Sequence, residues 1–293
     1  MTDTGRLIKP QSIFKATAFN HLSYGVSDYA RSRDYYMDMF GMKCVFDDGQ
    51  QCSLSFGNPP RQIYIHKSDK APFIDHWGFS IENFEAKTVG TTLQRLGLNP
   101  KRDSDYSWTI LDPDGYRIDI CAETGLYPGT GLSTFQLMGK IPSGNKASRP
   151  SHWKATAINH MSYRVSDYAR TRDFYMDLFG MRLAFEDGIQ SSVAFGSPED
   201  AIFIRKLHKG SKRALNDHWA ISVKNFDFDK VEADVIRLGI THHSDGDSAW
   251  TFNDPDGYQI DLCAETGLYP GCSTDFFHQT REFPNKPVPW VRR

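Results

Sequence analysis

The sequence predicts an α+β protein of two similar domains in tandem, each built from two β-α-β-β-β half-units. Two observations support this prediction: a long internal repeat, and the same order of extended and helical patterns within each copy. The chain has 293 residues. That length accommodates two domains of middling size, each large enough to bury a proper hydrophobic core.

The repeat defines the domain organisation. The segment FNHLSYGVSDYARSRDYYMDMFGM (19–42) returns as INHMSYRVSDYARTRDFYMDLFGM (158–181), displaced by 139 residues. DHWGFSIENF (75–84) returns as DHWAISVKNF (217–226), displaced by 142 residues. The three extra residues of the second copy must therefore lie in a loop between these two segments.

We expect four parts along the chain. The repeat copies place one domain at 16–129 and a second domain at 154–271. Residues 130–153 are rich in Gly, Ser and Pro and are predicted to form a linker. Residues 272–293, with three prolines near the end, are predicted to be an irregular tail.

Periodicity predicts the helices. Val89, Leu93 and Leu96 recur at the spacing of one helical face. Asp28 and Asp167 suit helix N-termini, because a short acidic side chain accepts bonds from the free backbone amides there. A glycine follows the last apolar residue of each predicted helix, as a left-handed C-cap requires: Gly41, Gly97, Gly180 and Gly239. Short strand-like runs such as CSLSF and QIYIH follow the helices.

Composition excludes several classes of protein. The chain is 39% hydrophobic and 24% charged with a net charge of −2, which is typical of a soluble globular protein. No apolar run reaches the ~18 residues of a membrane span, and MTDTGRLIKPQ has no apolar signal segment. Interspersed acids and bases argue against a nucleic-acid partner. Five cysteines without a CxxC pair indicate reduced thiols in a cytoplasmic protein.

Strand alternation singles out candidate metal ligands. In three predicted strands of the first domain, one face is bulky and apolar and the other is small or polar. Each polar face carries one good ligand: His21, His76 and Asp119. The second domain repeats the set with His160, His218 and Asp261. Two histidines and one carboxylate can hold one side of a divalent metal and leave positions open for substrate or oxygen.

The alternative is that each histidine is a hydrogen-bonded structural residue, which is common for a single strand histidine. Six ligand-type residues on matching faces favour the metal hypothesis. Cys121 and Cys263 share a strand face with the two aspartates, where small apolar packing is expected of them rather than metal binding.

These residues also give the chain a resemblance to the vicinal oxygen chelate superfamily, which includes glyoxalase I, bleomycin-resistance proteins and type I extradiol dioxygenases. The resemblance covers nearly all of 16–271. It implies paired βαβββ modules in an open, cup-shaped mixed sheet, with ligands from the first strand of each module and the last strand of the second. The DPDGY segments (112–116 and 254–258) resemble the final hairpin turn of the family.

Two tandem domains are the layout of type I extradiol dioxygenases, which implies Fe(II), alternatively Mn(II) or Zn(II), with a catechol-like aromatic substrate and O₂. The C-terminal signature of these enzymes is a histidine near the metal, a tyrosine, a turn and a glutamate ligand. Along 241–261, His242 or His243 falls at the signature histidine. Thr251 replaces the tyrosine and is expected to donate a hydrogen bond over a shorter reach, and Asp261 replaces the glutamate.

A further histidine of the family lies near the end of the first module. His208 could fill that place in the second domain and His66 in the first. The second domain is therefore favoured for chemistry, because it adds His208 and the His242/His243 pair as proton carriers to its ligand triad. The first domain either holds a second metal or supports the fold.

Two other functions remain open within the same resemblance. A glyoxalase-type lyase or isomerase would use Zn or Ni without O₂ and needs a fourth protein ligand, for which only Glu123 and Glu265 are candidates. A binding protein of the bleomycin-resistance kind would hold a small molecule without a metal, and the complete ligand triads count against it. Open-edged sheets also lead us to expect a homo-oligomer.

Overall fold

The computed structural model describes residues 12–123, 150–207, 217–245 and 249–265. Within these ranges the chain forms the β-α-β-β-β unit four times, and the predicted α+β fold is confirmed. None of the helices in the described ranges has the length and apolar content that a membrane crossing requires.

The first domain contains eight strands and two helices in the described residues. Its first half-unit consists of β1 (Ala16–Val26), α1 (Tyr29–Phe40), β2 (Lys43–Asp47), β3 (Gln51–Phe56) and β4 (Arg61–Lys67). Its second half-unit consists of β5 (Phe73–Ile81), α2 (Ala86–Arg95), β6 (Lys101–Ser104), β7 (Ser107–Leu111) and β8 (Arg117–Cys121).

The second domain repeats this order. Its first half-unit consists of β9 (Ala155–Val165), α3 (Tyr168–Phe179), β10 (Arg182–Glu186), β11 (Gln190–Phe195) and β12 (Asp200–Lys206). Its second half-unit consists of β13 (His218–Val223), α4 (Phe228–Arg237), β14 (His242–Asp245), β15 (Ala249–Asn253) and β16 (Gln259–Ala264).

Local sequence signals fix the ends of the helices. The Asp28 side chain accepts bonds from two of the first amides of α1, and Asp167 accepts one from the amide of Arg170 in α3, so both predicted N-caps are confirmed. Gly41 and Gly180 end these two helices with φ of 64° and 66°. This left-handed conformation strains any residue with a Cβ, which explains the glycine at both places.

Each domain is one open, mixed eight-stranded sheet, in the order β2-β3-β4-β1-β5-β8-β7-β6 and its counterpart β10-β11-β12-β9-β13-β16-β15-β14. The first strands of the two half-units, β1 and β5, pair antiparallel at the centre. Parallel pairs flank them, β1 with β4 and β5 with β8. The strands predicted to carry the ligands are therefore neighbours in the middle of the sheet.

The hydrophobic core extends through both domains. The apolar face of each sheet packs on residues of the other domain: Trp77 contacts Tyr163 with ring centroids 5.1 Å apart, and Trp219 contacts Tyr36 at 5.9 Å. Both tryptophans are fully buried. Because this shared core takes up the apolar faces, the polar faces are left free to line the two clefts.

The DPDGY turns join the domains. Asp254 accepts hydrogen bonds from the hydroxyls of Tyr24 and Tyr36 in the other domain. Asp112 accepts one from Tyr163 at 3.0 Å. The sequence predicted these segments as hairpin turns, which they are, but the docking of their aspartates on tyrosines of the other domain was missed.

The described strands lie within the two predicted domains. Residues 130–149 of the predicted linker and the whole predicted tail, 272–293, lie outside the described residues, so the domain boundaries stay predictions. The described end of the linker is packed rather than free, because Trp153 is buried and its backbone amide bonds to α1 at the carbonyl of Met39.

Candidate metal centre

Each sheet brings two histidines and an aspartate together on one face. In the first domain, the β1–β5–β8 register places His21 beside Gly78 and Gly78 beside Asp119. His76 lies two residues before Gly78 on β5, so its side chain points to the same face. The second domain has the same arrangement, with Ala220 in place of Gly78. The two triads that result are His21, His76 and Asp119, and His160, His218 and Asp261.

Each triad has the geometry to bind one cation. In each triad the candidate ligand atoms lie within 4.8 Å of one another. The aspartate Oδ2 lies 3.5 and 3.6 Å from the two histidine Nε2 atoms in both domains. These distances are too long for hydrogen bonds. They are close to the ~3–3.5 Å expected between atoms that each lie about 2.1 Å from a shared ion.

Two buried atoms support the fit to a metal ion. His21 Nε2 and Asp261 Oδ2 are buried and have no hydrogen-bond partner among the described residues. A buried polar atom without a partner is costly, and both of these atoms point at the centre of their triad. A cation bound there would satisfy them, so the residues present fit a divalent metal.

A threonine on the neighbouring strand fixes each aspartate. Thr109 Oγ1 donates to Asp119 Oδ1 at 2.6 Å, and Thr251 Oγ1 donates to Asp261 Oδ1 at 2.7 Å. Thr251 was expected to donate toward a substrate. Its hydroxyl is instead used by the carboxylate, because Thr251 lies directly opposite Asp261 in the β15–β16 pair. Its role in the structure is to orient a ligand.

An asparagine fixes the first histidine of each triad. Asn159 Nδ2 donates to Ser222 Oγ and to the carbonyl of Ala264, so its Oδ1 faces the ring of His160 at 2.8 Å. An amide oxygen only accepts, so the proton lies on Nδ1 of His160 and Nε2 is free to bind a metal. Asn20 makes the equivalent contact with His21 at 2.9 Å. Neither asparagine was predicted from the sequence, although Asn-His occurs in both repeats.

The second histidine differs between the domains. In the first domain Asp75 Oδ2 lies 2.7 Å from Nδ1 of His76. In the second domain the matching Asp217 lies 3.9 Å from Nδ1 of His218. It binds Arg205 instead, at 2.6 Å. The two centres thus have the same ligand types but different surroundings.

The electrostatics favour the metal-binding protonation states of four ligands: His21, His218, Asp119 and Asp261. Burial lowers the pKa of His21 and of His218 below the ordinary value of 6.5, which favours the neutral rings. Burial alone would oppose ionisation of Asp119 and Asp261. The neighbouring histidines and threonine outweigh it and lower the pKa of both carboxyls. Neutral imidazole and ionised carboxylate are the forms that bind metals.

The first triad lies at the base of a cleft of about 200 Å³. Side chains from several strands form its walls, including Gln51, Tyr64 and Asp103. Cys121 also lines it, through a thiol whose pKa is raised well above the usual value by burial. A thiol held in its neutral form is a poor ligand, which agrees with the packing role expected for this cysteine.

The structure separates the two candidate signature histidines. His243 lies opposite Thr251, which lies opposite Asp261, so these three side chains share the concave face. His242 is on the other face, where its ring lies 5.1 Å from that of Trp250 and its Nδ1 bonds to the carbonyl of Ile240. His242 is therefore turned away from the triad. The sequence alone could not distinguish His242 from His243, because a register shift of one residue moves every side chain of a strand to the opposite face of the sheet.

The remaining candidates do not join a triad in the described residues. His66 lies on β4, opposite Gly25 of β1. The matching position of the second domain is held by Arg205, so no histidine stands there. His208 lies outside the described residues. Glu123 and Glu265 are exposed residues in turns beyond the ends of β8 and β16, and neither is in the ligand groups. Each strand ends before reaching them.

Comparison with known proteins supports the resemblance seen in the sequence. Residues 157–262 match the model of the Glyoxalase/Bleomycin resistance protein/Dioxygenase superfamily. The match covers nearly the whole second sheet, and the first sheet has the same strand order. The predicted resemblance to the vicinal oxygen chelate superfamily is thereby confirmed. No curated protein matches the sequence.

Several solved structures share the fold over most of the chain. Catechol 2,3-dioxygenase superposes with a TM-score of 0.65 at 17% identity, covering 89% of this chain and 92% of that one. The 2,3-dioxygenase LapB from Pseudomonas sp. KL28 superposes with a TM-score of 0.63 at 14% identity, covering 86% of this chain and 93% of that one.

Homoprotocatechuate 2,3-dioxygenase from Brevibacterium fuscum, in complex with 3,4-dihydroxyphenylacetate, superposes with a TM-score of 0.64 at 17% identity. The superposition covers 94% of this chain and 86% of that one. At these identities the likeness shows the shared two-domain fold.

Proposed function

We propose that the chain is an Fe(II)-dependent dioxygenase of the extradiol type, which cleaves the ring of a catechol-like aromatic with O₂. The observation that best supports this proposal is the set of two histidines and one aspartate on one face of a sheet with the fold of a catechol dioxygenase. A divalent metal bound there would hold two adjacent substrate oxygens and O₂ at its open positions. Mn(II) and Zn(II) are the alternatives for the metal.

The second domain is the proposed catalytic domain. His160, His218 and Asp261 would hold the ion, with Asn159 and Thr251 fixing two of these ligands. His243 shares the face of Asp261 but lies two strands away, at a Cα distance of roughly 10 Å. That place suits a residue that exchanges protons with a bound substrate rather than with the metal. His208 stays a second candidate for this role.

The first domain is proposed to bind a metal as well. Its triad has the same ligand spacing, and a cation there would satisfy the Nε2 of His21, which has no hydrogen-bond partner among the described residues. Lys101 stands at the position of His243, opposite Thr109. The first domain therefore lacks the proposed proton carrier, which supports assigning turnover to the second domain.

Oxygen uptake tests the proposal. The protein is purified without air, loaded with Fe(II), and supplied with a panel of catechols in a closed oxygen electrode. We expect uptake that disappears in His218→Ala and persists in the matched variant His76→Ala. Absence of uptake in a protein shown to hold iron contradicts the dioxygenase proposal.

An anaerobic assay tests the glyoxalase-type alternative. Such an enzyme would keep its activity on a thiol adduct of an α-ketoaldehyde under strict anaerobiosis. In the described residues each triad has three members, and the expected fourth ligand is missing from both. This observation favours the dioxygenase.

We further propose a cytoplasmic homo-oligomer without nucleic-acid or membrane partners. None of the four cysteines of the described residues is in a disulfide, which suits a reducing compartment. The outer strands of each sheet are open edges, and symmetric pairing would cover them.

A further inference from the structure

We propose that the first domain is the tighter of the two metal sites, and that Asp75 makes it so by holding His76 in its metal-binding orientation. The inference rests on the proposal that both triads bind a metal, and it holds whatever reaction follows. Asp75 is a positioning residue in this role, because it acts on the metal through the ring of a ligand. The observation behind it is a difference between two positions that the repeat makes equivalent, Asp75 and Asp217.

In the first domain the carboxylate of Asp75 binds the ring of His76. Asp75 Oδ2 lies 2.7 Å from Nδ1 of His76. An ionised carboxylate only accepts, so Nδ1 carries the proton and Nε2 of the same ring has a free electron pair. That Nε2 lies 3.6 Å from Oδ2 of Asp119, within the triad. The bond therefore fixes the tautomer and the direction of the ring, and it raises the basicity of the ligand.

A β-bulge explains how Asp75 reaches the ring of the residue next to it. Neighbouring side chains on a regular strand point to opposite faces. In the pairing of β5 with β1, the register shifts between Ser23 and Tyr24, and Asp75 is the extra residue of β5 at that place. A bulge bends the strand and re-aims a side chain. The irregularity of β5 thus brings the carboxylate to the ligand.

Arg117 holds Asp75 from the neighbouring strand. It lies beside His76 in the parallel β5–β8 pair, and its Nη1 donates to Asp75 Oδ2 at 2.8 Å. The carboxylate is thus bonded to both an arginine and the ligand ring, which limits its rotation. The second domain has Gln259 at the matching place on β16.

In the second domain Asp217 binds toward the other side of the sheet. Its Oδ2 accepts from Nη1 of Arg205 at 2.6 Å, and its Oδ1 lies 3.4 Å from Nη2 of Arg164. These two arginines are on β12 and β9, on the side of β13 that is away from β16. The first domain has Gly25 and His66 at the two places, so no guanidinium competes there for the aspartate.

The second histidine is therefore supported in one centre and not in the other. Asp217 Oδ2 lies 3.9 Å from Nδ1 of His218, beyond the reach of a hydrogen bond. The other outer contacts are alike, with an asparagine on the first histidine and a threonine on the aspartate of each triad. Loss of one outer contact lowers metal affinity by roughly 10–100-fold. We therefore expect the first centre to fill at the lower metal concentration.

Zinc titration of the full chain tests the order of the two sites. Zn(II) is added to metal-free protein in competition with a chelating dye. His218→Ala leaves the first triad intact and His76→Ala leaves the second, so the two variants give the two affinities separately. We expect the first centre to bind at least about tenfold more tightly. Equal affinities, or a tighter second centre, overturn the inference alone, whereas absence of binding at both centres also contradicts the proposed function.

The same substitution at the two equivalent positions tests the role of Asp75. In the His218→Ala background, Asp75→Asn should lower the affinity of the first centre about tenfold, because an amide oxygen accepts more weakly than a carboxylate. Asp217→Asn in the His76→Ala background is the matched control and should leave the affinity of the second centre almost unchanged. An equal loss in both variants would assign the effect to nearby negative charge and overturn the bond to His76 as its cause.

Proton NMR of the zinc-loaded protein distinguishes positioning from a general structural effect. The Nδ1 proton of His76 should resonate downfield of that of His218, because it lies in a bond to a carboxylate. Asp75→Asn should keep this resonance at a less downfield position, and Asp75→Ala should lose it to exchange with water. A resonance that stays in place overturns the positioning role, and Asp75→Asn alone decides the matter if Asp75→Ala does not fold.

Discussion

The hydroxyl of Thr251 donates a 2.7 Å hydrogen bond to Oδ1 of Asp261, and this bond leaves Oδ2 facing His160 and His218. Thr109 and Asp119 form the same pair in the other domain. A buried carboxylate held by one oxygen presents the other in a fixed direction. The ligand set is therefore organised before any ion binds, which is what tight metal binding needs.

Thr251→Val should weaken metal binding in the second domain. Valine keeps the shape but removes the donor, so Oδ1 of Asp261 loses its partner and the carboxylate can rotate. Loss of an outer contact of this kind lowers metal affinity by roughly 10–100-fold. A competition titration against a chelating dye measures the change, and Thr109→Val should lower affinity at the first site only. Unchanged affinity in Thr251→Val would refute the orienting role.

Asn159→Ala should release the ring of His160. The asparagine accepts from Nδ1 of this histidine and donates to strand β13 and the end of β16. Without it we expect both ring tautomers and a lower metal affinity. Nitrogen NMR of the imidazole distinguishes the tautomers, and Asn20→Ala should affect His21 in place of His160. A single unchanged Nδ1–H tautomer in Asn159→Ala would show that the asparagine does not set it.

Tyr163→Phe should weaken the docking of the two domains. Its hydroxyl donates to Asp112 of the first domain, and both groups are buried. A buried hydrogen bond to a charged group contributes about 1.5–3 kcal/mol to the free energy of unfolding. Urea denaturation at pH 8 measures the loss. Tyr29→Phe, which removes a half-buried hydroxyl on α1, is the control and should cost less than half as much.

The stability of the fold should fall as the pH rises from about 4 to 7, in part because of Asp200. Burial raises the pKa of its carboxyl to about 7, against an unfolded value near 3.9. Between these values the folded state holds a proton that the unfolded state has lost, so unfolding releases that proton and becomes easier as the pH rises.

Asp200→Asn tests this pH dependence. The side-chain oxygen of asparagine can still accept from the backbone amide of Phe19, the bond that Asp200 makes across the domains. We expect the free energy of unfolding to depend less steeply on pH between 5 and 7, by up to about 1.4 kcal/mol per pH unit. Glu199→Gln, which neutralises the half-buried neighbour, should leave the slope unchanged. An unchanged slope in Asp200→Asn would assign the titration to another group.

The sequence predicted the fold well because its signals are local and repeated. Alternation along the strands, aspartates at the N-caps of α1 and α3, and glycines after the helices each describe a few neighbouring residues. The two displaced copies showed that the same unit recurs. The six triad residues followed from the same alternation, since residues at matching places on adjacent strands share a face.

Contacts between distant residues were the part that sequence reasoning missed. The bonds of Thr251 to Asp261 and of Tyr163 to Asp112 depend on strand register and on how two domains pack. The choice between His242 and His243 also depends on register, because neighbouring residues on a strand face opposite ways. Identities shared by the two copies, such as Asn-His, were a usable signal for the asparagines.

We propose that this ligand set supports ring cleavage by O₂, and labelled oxygen tests that reaction most directly. The Fe(II)-loaded protein is given a catechol under ¹⁸O₂, and the product is analysed by mass spectrometry. We expect a ring-opened product that carries label from O₂, formed by the intact protein and lost in His218→Ala. A product without label, or one formed equally under argon, would contradict it.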